Sequence, residues 1–160
     1  VESISNVSSD ASNLERLNRW SCAWAMFLER PIAGWGPGTY QFEYAPFQTA
    51  ELRTQISTNN ADLGNAHSEY LGPLSEQGLL GLLALLALLL ATGHLGFKLQ
   101  RTLMDPDDRR LAMGVFLGLV TYFVHGVLNN YLDTDKASAP FWGFLALMVV
   151  FDLQSQTKQP

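Results

Sequence analysis

The sequence predicts an all-α chain, a fragment of an integral-membrane helical bundle with about three transmembrane helices. These are preceded by an amphipathic helix and an extracytoplasmic loop. Two observations carry that expectation. The mean hydropathy is only +0.06, but it averages a polar, loop-like stretch, residues 1–77, with a largely apolar one, residues 78–153. Within the second stretch, Leu79 to Ala91 holds no charge and is apolar on every face. A surface helix of a protein in water keeps one polar face, so a soluble core helix is the weaker alternative.

The elements follow in order. Ser12 and Glu15 have the spacing of a capping box. Leu14, Leu17, Trp24, Phe27 and Leu28 then recur at helical spacing, and Pro31 closes the segment. The pattern predicts an amphipathic helix of about 18 residues, lying on a membrane or packed on a partner. Gly34-Trp35-Gly36-Pro37-Gly38 reads as a turn-rich connection. A phosphate-binding loop would need a preceding strand and a different glycine spacing. Residues 48–64 read as a polar, mobile loop.

The expected spans run from about Gly78 to Phe97, Leu111 to Leu128 and Ala137 to Leu153. The last is the shortest. The loop 98–110 carries Lys98, Arg101, Arg109 and Arg110, whereas 129–136 carries only Lys136. The positive-inside rule therefore puts 98–110 in the cytoplasm. Residues 1–77 become an extracytoplasmic (periplasmic) loop, and 154–160 a cytoplasmic tail.

Composition excludes several classes. The net charge is −5, with no basic cluster for nucleic acid. Cys22 is the single cysteine, so neither an internal disulfide nor a cysteine zinc site can form; it reads as a small helix residue. The chain begins with Val and shows no signal-peptide pattern, and it reads as the C-terminal part of a larger protein.

Several residues can carry chemistry. His67 lies in Asn65-Ala66-His67-Ser68-Glu69-Tyr70, just ahead of the charge-free segment. With Asn65 as N-cap, His67 would sit in a first helical turn, where the helix dipole favours neutral imidazole. Such a group accepts a proton from a hydroxyl near neutral pH. The same histidine also fits a residue that merely hydrogen-bonds within its loop. Arg16, Arg19, Arg30 and Arg53 are the cations of the polar stretch, and guanidinium suits phosphate oxygens. Against this, Arg19 can pair with Glu15 at i, i+4, and Arg30 can complement a helix C-terminus.

Further on, Tyr122, His125 and Asn129 are spaced to share one helix face, for helix contacts or a polar pathway. Asp133-Thr134-Asp135 has the form of a metal–nucleotide motif but reads better as a solvated loop. His94 reads as interfacial.

One pattern is more specific. His67-Ser68, nine residues, then Gly78-Leu79-Leu80-Gly81 resembles the motif of bacterial O-antigen ligases. Arg19-Trp20 through Pro31, with Gly34, Gly36 and Gly38, resembles the helix and glycine turn ahead of that motif in the same superfamily. The superfamily also includes O-antigen polymerases and protein O-oligosaccharyltransferases. The resemblance implies a C-type glycosyltransferase of the bacterial inner membrane, active on its periplasmic side without metal or cofactor. The implied donor is an undecaprenyl-diphosphate-linked glycan. The implied acceptor is a hydroxyl of lipid A-core, of a growing glycan or of a protein. His67 would be catalytic, and Arg19, Arg53, Ser68 and Glu76 would bind substrate. The family's enzymes have many more spans, so the fragment alone is expected to be inactive. A transporter or a non-catalytic polysaccharide-assembly protein is the reading from another class.

Overall fold

A computed structural model describes residues 11–59, 64–132 and 135–157, with Asp135 described by its backbone alone. Among the described residues the structure is helical, with no strand. The chain divides into two compact units. The N-terminal unit holds residues 1–85 and 127–130, and the bundle unit holds 86–126 and 131–160.

The N-terminal unit opens with α1, Ala11–Glu29. Its buried face carries Glu15, Asn18, Arg19, Cys22, Ala23 and Met26. The opposite face exposes Leu17, Trp24 and Leu28. The helix is amphipathic as expected, but the polar face is the one turned inward. The Glu15 carboxylate of the expected capping box faces inward, to Arg19, Asn18 and Ser57. Beyond α1 come a short helix α2, Tyr40–Glu43, and a single 3-10 turn, Ala45–Phe47. Cys22, Ala23, Met26, Tyr40, Tyr44 and Ala66 form the core of this unit. Residues 48–59 are tied into it: Ser57 reaches Glu15, and Gln48 Nε2 donates to the Thr58 carbonyl at 2.9 Å.

Helix α3, Leu71–Thr102, starts earlier than the apolar pattern suggests and breaks at Gly78, with φ 66° and ψ −155°. An α-helix pairs each N–H with the carbonyl four residues back. At the break, the 79→75 and 80→76 bonds are replaced from outside. Leu79 N donates to the Pro31 carbonyl at 2.8 Å and Leu80 N to that of Ile32 at 3.5 Å. Trp35 N donates to the Ser75 carbonyl at 3.3 Å and Gly36 N to that of Glu76 at 2.7 Å. The glycine turn thus supplies the partners that the broken helix lacks. Gly34 is required by close approach: a Cβ there would stand 2.3 Å from the Glu76 carbonyl carbon.

The bundle unit contains the rest of α3, then α4, Pro106–His125, and α5, Asp135–Thr157. Asp105 caps α4 by accepting from Asp107 N at 2.7 Å, and Pro106 stands in the first turn. Leu99, Ala112, Phe116, Leu119, Phe141 and Met148 are among its core residues. Gly96 lets the Phe116 ring lie flush on α3; a Cβ would meet it at 2.4 Å. Tyr122 and Phe141 pack with ring centroids 4.4 Å apart. Lys98 pairs with Asp152 at 2.6 Å, which sets the end of α3 beside the end of α5.

Two helices, Leu71–Thr102 and Lys136–Thr157, are long and apolar enough to cross a membrane. The segment expected to be the weakest span is thus one of them. The expected middle span, 111–128, is not. Its helix begins with the charged run Asp107-Asp108-Arg109-Arg110 and stops at His125. Asn129 therefore lies beyond the helix and does not share a helical face with Tyr122 and His125. Asp133, Thr134 and the side chain of Asp135 lie outside the described residues.

Candidate functional site

The site is assembled on the polar face of α1 and the segment leading into α3. Helix α3 begins at Leu71, not near Asn65, and its cap is Ser68. Ser68 Oγ accepts from Tyr70 N at 3.3 Å and from Leu71 N at 3.4 Å. Asn65 Oδ1 instead accepts from His67 N at 3.0 Å, closing a local turn. His67 therefore precedes the helix, with a left-handed backbone at φ 47°. It is the one described non-glycine residue with positive φ. Such a conformation is uncommon for side chains larger than glycine, and it recurs at functional sites. Trp20 Nε1 donates to the His67 carbonyl at 3.4 Å.

His67 is half-buried, and its imidazole pKa is lowered from the ordinary 6.5. Burial is the largest cause, followed by the positive charges of Arg19 and Arg16; Glu15 opposes them. The expected direction holds, but the cause is desolvation and arginine rather than a helix dipole.

Arg19 is buried, with 7% of its surface exposed. Its Nε pairs with Glu15 at 2.7 Å, and a terminal nitrogen donates to the Asn65 carbonyl at 3.3 Å. Tyr40 Oη donates to the Arg19 carbonyl at 2.7 Å. The pairing with Glu15, one of the two sequence readings, is the one formed. Arg19 thereby links α1 to the turn that holds His67. Arg53 is exposed and donates to Asn59. Arg30 stacks on Trp35, 3.8 Å from the ring centroid.

Glu76 is bound to the glycine turn. Its carboxylate accepts from Gly38 N at 2.8 Å and Tyr40 N at 2.9 Å, holding the start of α2. The two parts of the sequence pattern, the glycine turn and the segment from His67 to Gly81, are thus one hydrogen-bonded body. Cys22 is fully buried, and burial raises its thiol pKa to about 11, as befits a packing residue.

One residue of the site carries no clear signal in the sequence. Asn130 Oδ1 accepts from Ser68 N across 62 positions, a contact that no local pattern announces. Arg16, one of the cations singled out in the sequence, has a buried Nε with no hydrogen-bond partner among the described residues. The arrangement can hold a neutral imidazole beside guanidinium groups, which suits proton abstraction near an anionic group.

A family model described as O-antigen ligase matches residues 1–86, more than half of the 160 residues. It covers α1, the glycine turn, the His67 segment and the break at Gly78. No curated protein and no solved structure matches the chain.

Proposed function

Since the chain belongs to the O-antigen ligase family, we propose that His67 is the general base of a glycan transfer at the outer face of the bacterial inner membrane. The coarser statement stands on the family: this is an O-antigen ligase- or polymerase-like membrane protein, glycosyltransferase-like in function. The observation that supports the finer reading is the His67 turn. Its backbone is left-handed, its imidazole is biased to the neutral form, and two arginines lie near enough to bias it.

In this reading the donor is a glycan on undecaprenyl diphosphate and the acceptor is a sugar hydroxyl of lipid A-core or of a growing glycan. His67 takes the hydroxyl proton as the oxygen attacks the anomeric carbon. The bond from that carbon to the diphosphate oxygen breaks, and undecaprenyl diphosphate leaves with the electron pair. Arg16, half-buried on α1, offers its guanidinium to the diphosphate, and Arg53 adds positive charge at the exposed loop. Arg19, tied to Glu15 and Asn65, acts by fixing the turn that presents His67. Ser68 and Glu76 act in the same way, through the start of α3 and the glycine turn. No metal enters the step.

The test is transfer from undecaprenyl-diphosphate-linked glycan to acceptor, in membranes holding the full-length protein. His67→Ala should lower the rate by about 10²–10⁴ with protein level unchanged. EDTA should leave the wild type active. Near-normal transfer by His67→Ala, or loss under EDTA restored by manganese, would overturn the reading.

A further inference from the structure

Helix α1 turns its large apolar side chains outward. Leu17, Trp24 and Leu28 are 39%, 51% and 60% exposed on one face, while Glu15, Asn18 and Arg19 are buried on the other. A helix docked on a protein in water does the reverse. The apolar patch continues past the helix, where Ile32 is 71% exposed.

The patch also has a fixed level. The carbonyls of Pro31 and Ile32 accept from Leu79 N and Leu80 N, the first residues of the charge-free segment that opens the span. Leu79, Leu80 and Leu83 are themselves exposed. Hydrogen-bond distance leaves no room for a water layer between Ile32 and the start of that span. An apolar face bearing Trp and Leu, opposite a polar one, is the composition of a helix lying in the bilayer interface.

We propose that α1 lies in the membrane interface, with Leu17, Trp24, Leu28 and Ile32 as its lipid-contacting face. The occupant of the face is phospholipid, because the patch runs without interruption into a membrane-spanning segment. The face turned away from lipid carries Arg19, and α1 also carries Trp20; both hold the His67 turn. The helix therefore fixes the level of that turn relative to the membrane surface. The inference concerns the anchoring of α1 and holds whatever reaction the site performs.

The experiment uses the full-length protein with Cys22→Ala, reconstituted in vesicles of phosphatidylethanolamine and phosphatidylglycerol. Single cysteines replace Leu17, Trp24, Leu28 or, as a solvent control, the exposed loop residue Glu51, and each carries an environment-sensitive fluorophore. At positions 17, 24 and 28, iodide quenching should be severalfold weaker than at 51. Lipids spin-labelled near the headgroup should quench 17, 24 and 28 and spare 51. Iodide quenching equal to that at 51 would place the face in water and overturn the proposal. Resistance to both quenchers would mean that protein covers the face, and would overturn it equally. Leu17→Cys and Leu28→Cys keep the test decisive if Trp24→Cys accumulates poorly.

Discussion

The two units differ in how much polar material they bury beside an apolar core. The bundle unit buries Phe116, Leu119, Phe123, Phe141 and Met148 and exposes apolar side chains such as Phe97 and Leu117. That is the expected economy of helices in lipid, where side-chain fit replaces the hydrophobic driving force. The N-terminal unit buries Glu15, Asn18, Arg19, Ser68, Glu69 and Ser75. An ion pair of this kind is weak evidence for stability, because desolvation of both charges opposes their attraction. What it supplies here is a unique arrangement: α1, residues 48–59 and the His67 turn are joined by directional bonds that tolerate few alternatives. The contrast separates a part that must fit from a part that must hold one geometry.

The largest expected effect comes from the break at Gly78. A Cβ there would stand 2.4 Å from the Ile32 carbonyl oxygen, in a left-handed conformation. Gly78→Ala should destabilise the N-terminal unit by ~3 kcal/mol or more. Thiol labelling of Cys22, which is fully buried, would report the opening. Unchanged labelling would mean that the glycine turn and the broken helix are not one body. Comparable in size is the effect at the charged pair. Glu15→Ala leaves Arg19 buried without its carboxylate and should cost about 3–5 kcal/mol, read as lowered thermal stability in the same labelling assay. Tolerance of Glu15→Ala would break the contrast, because the polar core would then be dispensable. The smallest effect belongs to the bundle unit. Asp107 and Arg110 pair at 2.8 Å with both side chains largely exposed. Asp107→Asn should leave thermal stability unchanged within error, as exposed pairs contribute little.

Much of this was legible in the sequence, for reasons that differ between the units. Leu79 to Ala91 announces a membrane helix by composition alone, because no other environment suits it. The extent of α4 was not legible. Leu111 to Leu128 looks continuous, but the helix takes in the charged turn before it and stops at His125, which leaves a segment too polar to qualify. In the N-terminal unit, the helical spacing of Leu17, Trp24 and Leu28 was visible, but which face would be buried was not. That outcome depends on Ser57, Thr58 and Asn65, which reach α1 from 39 to 46 positions away in the chain. The i, i+4 spacing of Glu15 and Arg19 was readable as a pair. The start of α3 was misplaced because Asn65 and Ser68 are both good caps, and only the structure shows Asn65 closing the His67 turn instead. Asn130 was invisible for the same reason as Ser57: its partner is remote in sequence.

The most direct measurement is the pH dependence of kcat/KM for glycan transfer by the full-length protein. The general base must be neutral to act, and activity falls as pH drops through its pKa. Burial and the two arginines lower the His67 pKa from 6.5. The acid limb should therefore lie below the ordinary histidine range, and should disappear from the residual activity of His67→Ala. The same shift has a stability counterpart with a fixed sign. The unfolded chain binds a proton at His67 more readily than the fold does, so stability is unaffected above pH 6.5 and declines as pH falls below it. An acid limb above 6.5, or one that persists unchanged in His67→Ala, would contradict His67 as the base.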